Sequence, residues 1–183
     1  CVEAAGRFSL DRALRTTREV CEAVEDLHRH GVIHKDLALG NVVIAADGAH
    51  VIDFGIARVL DGAEDRDERA LGTWGFAAPE QYGFAQADER SDVYALGRLL
   101  GYMLTGVLSG DDDGAYEKLV VDGNVVAPAV RAVVEKVSAF EPSARYQSVD
   151  ELARALEALG DKLAKADGGV FPAVGAVASH AFA

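Results

Sequence analysis

Cysteine is scarce in this 183-residue chain. Cys1 and Cys21 are the only two, too few for the disulfide framework of a small secreted domain, so both read as free thiols in a reducing compartment. No run of about 18 apolar residues is free of charge, which excludes a helix that crosses a bilayer, and no leader with the pattern of a signal peptide is visible. Basic charge is also in short supply, with 18 Lys and Arg against 30 Asp and Glu and a net charge of -12. Such a field repels phosphate backbones and anionic lipid surfaces, so nucleic acid is not an expected partner. What is present, 50% hydrophobic and 26% charged residues, reads as one soluble globular domain with a core, not as a disordered or collagenous chain. The first residue is cysteine rather than methionine, and the expectation is that the chain begins inside a longer protein.

From Ser9 onward Leu10, Ala13, Leu14, Thr17, Val20, Cys21, Val24 and Leu27 keep the three-and-four spacing of one helical stripe. Ser9 is the expected N-cap, Asp11 lies in the first turn and Gly31 is the stop. Short strands are expected at Val32-Ile33, at Asn41 to Ala45 and at His50 to Ile52, the last two joined through Asp47-Gly48. Residues 56 to 90 show no sustained period and carry Asp61, Glu64, Asp65, Asp67 and Glu68, which reads as a long surface loop. Three further helices are expected: Ser91 to Thr105 capped by Ser91, Pro128 to Phe140, and Ser148 to Leu159. The first is apolar nearly all round and so belongs in a core; Pro128 suits the first turn of the second. Asp111 to Asp113 fall in a polar connector, and periodicity is lost after Gly160. Residues 1–160 therefore read as one domain and 161–183 as an Ala/Gly-rich linker or tail. The class is α+β, mainly helical, with a small β patch.

The chemistry sits on that patch. His34-Lys35-Asp36 is followed by Asn41 five positions after the aspartate, and Asp53-Phe54-Gly55 comes directly after a strand. A carboxylate in a short loop, a carboxamide just beyond it and a second carboxylate leaving a neighbouring strand can converge where a divalent cation meets a phosphate. The order H-K-D-x-x-x-x-N, D-F-G and then Ala78-Pro79-Glu80 resembles the H-R-D, D-F-G and A-P-E series of protein kinases. Gly72-Thr73 ahead of Ala78-Pro79-Glu80-Gln81 resembles the substrate-facing loop of bacterial serine/threonine kinases of eukaryotic type. Ser91 to Gly97 is similar to the central buried helix of the large lobe, and Pro142 to Arg145 to the segment whose arginine pairs with the glutamate of A-P-E. The resemblance extends from about residue 8 to about residue 159.

It implies a large lobe that carries the catalytic loop, with the small lobe absent from this chain, and a parent protein that transfers the γ-phosphoryl group of ATP to a protein hydroxyl. Asp36 would orient that hydroxyl and accept its proton, while Asn41 and Asp53 would hold Mg²⁺. His34, Lys35, Thr73 and Asp92 would support the loop; Val43 would lie beneath the adenine; Phe54 and Gly55 would be structural, with His34 and Phe54 in the packed column that links the lobes. Glu80 and Arg145 would form a buried bidentate ion pair. ATP and a protein substrate are the implied partners, and the cytoplasm, where ATP is, the implied compartment. Arginine outnumbers lysine 13 to 5, as in proteins of GC-rich bacteria.

Besides the absent small lobe, the chain departs from the family pattern at Lys35 and at Ala38, and its long loop bears on control. Lys35 replaces the usual arginine, keeping the charge without the planar fork. Ala38 stands where serine/threonine kinases present a lysine to the γ-phosphate, which removes one cation from the expected transition state. Between Asp53 and Glu80 the only hydroxyl residue is Thr73, so no ordinary activating phosphosite is expected; Glu64, Asp65, Asp67 or Glu68 would instead offer Lys35 a built-in negative partner. A pseudokinase acting as a binding module is the alternative reading, and a small-molecule kinase of related fold a weaker one. Gly72-Thr73 leans toward serine/threonine over tyrosine. The remaining histidines, His28, His30, His50 and His180, form no partner pattern in the sequence and read as surface or core residues.

Overall fold

The computed structural model describes residues 7–54, 57–59, 72–83, 85–108 and 127–166. Gly55, the acidic run from Asp61 to Glu68, Asp111 to Asp113, Cys1 and His180 lie outside the described residues. Among the described residues four α-helices form the body: α1 (Leu10–Arg29), α2 (Glu89–Thr105), α3 (Pro128–Val137) and α4 (Val149–Ala166). Between α1 and α2 lie the strands β1 (Val32–Ile33), β2 (Val42–Ala45), β3 (Gly48–Val51) and β4 (Arg58–Val59). They make two antiparallel pairs, β1 with β4 and β2 with β3, the second in the register Val42 opposite Val51 and Ala45 opposite Gly48. The α+β class with a small β patch holds.

α1 starts where the sequence places it. Ser9 accepts the Arg12 N–H, Asp11 occupies the first turn, and Arg29 lies in the last, where positive charge complements the helix dipole. Its buried stripe includes Ala13, Leu14, Val20, Cys21 and Val24, and it packs against α4, α2 and β3. Thr17, counted among the apolar positions, is fully buried because its hydroxyl donates to the Ala13 carbonyl at 2.8 Å. Cys21 is a free, buried thiol that burial pushes up to about 12, so it stays protonated and unreactive.

α2 runs through the core: Val93, Leu96, Leu99, Leu100 and Met103 are essentially without solvent contact. It begins two residues before the expected Ser91. Asp88 is the cap, its carboxylate accepting the Arg90 N–H at 2.8 Å, and Ser91 lies inside the first turn with its hydroxyl turned to Glu80 at 2.8 Å. Gly106 closes the helix in the left-handed region, φ 73°.

The other two helices also differ from expectation at their ends. α3 stops at Val137, not Phe140, and beyond its end the carbonyls of Ala139 and Phe140 accept from Arg145. α4 continues through Gly160 to Ala166, six residues into the stretch read as linker, because Leu163 extends the stripe of Leu152, Leu156 and Leu159 against the core.

Arg145 is among the largest fully buried side chains of the described residues. Its Nη1 donates to Glu80 Oε1 at 2.7 Å and its Nη2 to Glu80 Oε2 at 2.8 Å, in a bidentate pair. The remaining donors reach the carbonyls of Arg90, Ala139 and Phe140, so no part of the fork is left dry and unbonded. Burial alone would raise the Glu80 carboxyl, but hydrogen bonds from Arg145, the backbone and Ser91 hold it below its ordinary value of 4.5. This pair ties the turn Pro79–Tyr82 to α2 and to the segment after α3. Arg145→Ala is expected to cost about 3–5 kcal/mol by stranding the Glu80 charge, measured as the shift in urea midpoint. A folded-state value below 4.5 means that this contribution is present above 4.5 and lost as pH falls through the lower folded value. The wild type is therefore expected to lose stability there more steeply than Arg145→Ala.

Candidate active site

The loop between β1 and β2 carries His34, Lys35 and Asp36 and closes in a single 3-10 turn, Leu39–Asn41. Its backbone is not relaxed: Lys35 sits at φ 67°, and Asp53, just past β3, at φ 61°. A side-chain-bearing residue in the left-handed region costs on the order of 1–3 kcal/mol unless its surroundings enforce it. At Lys35 the enforcement comes from Asp92, fully buried in the first turn of α2. Asp92 Oδ2 accepts the His34 N–H at 2.9 Å and Oδ1 the Lys35 N–H at 2.8 Å. The Lys35 carbonyl on the other side accepts from Gln81 Nε2 at 2.7 Å.

Asp36 is held by both ends of its carboxylate. Oδ1 accepts two bonds from Thr73, from its N–H at 2.8 Å and its hydroxyl at 2.7 Å. Oδ2 accepts one, from Asn41 Nδ2 at 2.9 Å, and the same Asn41 nitrogen also reaches the Asp36 carbonyl at 2.8 Å. Thr73 can approach because Gly72 precedes it at φ 131°; a Cβ there would lie 2.8 Å from Ala77 Cβ and 3.0 Å from Gln81 Nε2. The residue pair Gly72-Thr73 thus has a steric cause as well as a hydrogen-bonding one.

Asn41 and Asp53 are neighbours through the backbone, since the Ile52 N–H donates to the Asn41 carbonyl at 2.9 Å. With Nδ2 committed to Asp36, Asn41 Oδ1 has no partner among the described residues and is available as a ligand. Asn41 Oδ1 and the exposed Asp53 carboxylate are hard oxygen donors, a set that fits Mg²⁺, which takes few protein ligands and fills its octahedron with phosphates and water. Among the described residues no group of three or more His, Cys, Asp or Glu could hold a metal by itself. Phe54, half exposed, lies over the buried His34 ring at 5.2 Å between centroids, and Val43 on β2 is likewise exposed.

Two contributors escape the sequence reading. Gln81 bridges the Ala78 N–H and the Lys35 carbonyl. His28, read as partnerless, puts Nε2 2.8 Å from Asp92 Oδ2. The contact joins residues 64 apart in the chain, and no local pattern marks it. Ala38 is buried at 2% exposure in the core, so no cation stands at that position. The expected acidic partners for Lys35 lie outside the described residues.

The family model for the protein kinase domain matches residues 1–164. The serine/threonine-protein kinase PknB of Mycolicibacterium smegmatis is 34% identical over 166 residues, covering 82% of this chain and 27% of that protein. PknB of Mycobacterium tuberculosis gives 34% over 166 residues, 82% of this chain and 26% of that protein. PknD of Mycobacterium tuberculosis gives 32% over 163 residues, 81% and 24%. The chain therefore spans about a quarter of the length of these relatives. The family generally uses ATP and Mg²⁺. On the match over nearly its whole described length, and on a loop built around Asp36, Asn41, Asp53 and Asp92, this chain belongs to the protein kinase domain family.

Proposed function

We propose that the protein carrying this chain transfers the γ-phosphoryl group of ATP to a hydroxyl of a protein substrate, serine or threonine in preference to tyrosine. The observation that carries this reading is the state of the Asp36 carboxylate. Its Oδ1 is filled by two donors from Thr73, whereas Oδ2 holds one donor, from Asn41, and keeps a lone pair. A substrate hydroxyl donating to Oδ2 is oriented by it and loses its proton to it as its oxygen bonds to the γ-phosphorus. The bond from that phosphorus to the β-phosphate oxygen breaks, and ADP leaves.

Asn41 Oδ1 and Asp53 would hold Mg²⁺, which supplies positive charge against the phosphate oxygens. Thr73 does two things at once, fixing the Asp36 rotamer and occupying the oxygen that is not used. His34, Lys35 and Asp92 act on the loop backbone and not on the substrate. The preference for serine and threonine draws on the Gly72-Thr73 loop and on the names of the relatives, which are serine/threonine-protein kinases. The cytoplasm is the proposed compartment, because ATP is there. Among the described residues no helix is long and apolar enough to cross a membrane. A second reading, a pseudokinase that binds without transferring, is favoured by one observation, the buried Ala38 where the family has a cation.

Asp36→Asn in the full-length protein is expected to lower radiolabel transfer from ATP to a protein substrate by about 10²–10⁴-fold with the fold retained. Transfer at the wild-type rate would remove Asp36 from its role, and no transfer by the wild type would leave the pseudokinase reading. Asp53→Asn is expected to raise the Mg²⁺ concentration needed for half-maximal rate, since one anionic ligand is lost. An unchanged Mg²⁺ titration would contradict that assignment.

A further inference from the structure

Thr73 lies between Gly72 at φ 131° and Gly75 at φ 82°. Glycine keeps more freedom than any other residue in an unrestrained chain, so a segment bracketed by it has to be held from outside. Gly72 is packed against Ala77 and Gln81. Gly75 is held by a hydrogen bond: Arg98, half-buried on α2, donates from Nε to the Gly75 carbonyl at 3.2 Å. The same peptide unit carries the Phe76 N–H, which donates to the Thr73 carbonyl at 3.0 Å. In a trans peptide these two groups point in opposite directions. One line of hydrogen bonds therefore runs from Arg98 through the Gly75–Phe76 peptide to Thr73, and on from the Thr73 N–H and hydroxyl to Asp36 Oδ1.

We propose that Arg98 is a positioning residue for Thr73, and through Thr73 for the Asp36 carboxylate. The bond from Phe76 to Thr73 closes the turn but leaves open how the turn stands over α2, and the bond from Arg98 sets that orientation. Trp74, at 64% exposure, buries too little to do so. The base of Arg98 is fixed, since its neighbours Gly97 and Leu99 are buried in the core side of α2. Its far end is steered as well. The guanidinium lies 5.9 Å from the centroid of the Tyr94 ring, one turn back along the helix, the direction in which helical side chains lean. Tyr94 in turn meets the guanidinium of Arg145 at 4.8 Å, and Arg145 is locked to Glu80. Bonds arranged in line polarise one another, so the donor at one end strengthens the contact at the other. The inference deepens the kinase reading: its catalytic consequence rests on that reading, whereas the effect on Thr73 does not.

The test compares Arg98→Met and Arg98→Gln in the full-length protein. Methionine keeps the length of the stem and puts a methyl carbon where Nε is; glutamine puts an amide nitrogen there, a donor without the charge. Hydrogen exchange at the Thr73 amide is read together with kcat and with KM for ATP. Met is expected to lower the protection of that amide and kcat by about three- to tenfold, the scale of one partly exposed hydrogen bond, with KM for ATP within about twofold because Asn41 and Asp53 are untouched. Gln is expected to restore both. Unchanged protection in Arg98→Met, failure of Gln to restore it, or lost protection with unchanged kcat would overturn the proposal. If the methionine variant does not fold, Arg98→Glu takes its place, since glutamate has the shape of glutamine and no donor. Protection lost without the donor and kept in Gln, in a protein that transfers no phosphate, supports the positioning and removes the kinase reading.

Discussion

A single buried carboxylate, that of Asp92, sets the shape of the catalytic loop. Burying a charge without partners is prohibitive, and Asp92 is fully buried, so its donors are obligatory. Three reach it: the His34 and Lys35 amides and the His28 ring. Two of these are consecutive backbone groups of the loop, and satisfying both at once forces the turn that leaves Lys35 in the left-handed region. The cost of the charge and the cost of the backbone are thereby offset against each other. Asp36 follows directly in sequence and inherits its position from this arrangement.

The same turn of α2 anchors the second half of the site. Ser91, next to Asp92, donates to Glu80, and the Arg90 carbonyl accepts from Arg145, which itself grips Glu80. One helix start thus fixes the loop that bears Asp36 and the loop that bears Thr73, and the two meet at Asp36 Oδ1. Because α2 is surrounded by apolar neighbours through Val93, Leu96 and Leu100, its first turn cannot shift without disturbing the core. The rigidity of the site is borrowed from the packing of a helix that contributes nothing to the chemistry directly.

Much of this was legible in the sequence, and the limits have physical causes. The spacing of Asp36, Asn41 and Asp53 is short-range, so a local pattern specifies it. Ser9 as the cap of α1 was readable because capping is settled within a few residues. Ser91 was misread as a cap because serine is a good one; its hydroxyl is instead engaged by Glu80, 11 residues earlier, and Asp88 took the cap. The sequence loses its period after Gly160, yet the packing of Leu163 against the core carries α4 past that glycine to Ala166. His28 could not be read at all, because its partner is far along the chain and its own neighbourhood is an ordinary helix end.

The most direct test of Asp92 as the organising group is Asp92→Asn in the full-length protein, scored by phosphotransfer with helix content monitored by circular dichroism. The isostere keeps the volume but replaces one acceptor with an amide donor facing a donor, so it cannot satisfy both loop amides. The expected result is retained helix content with phosphotransfer reduced by about 10²-fold or more, as for displacement of a catalytic group. Retained helix content with transfer at the wild-type rate would contradict the account, since the loop would then hold Asp36 in place without the carboxylate.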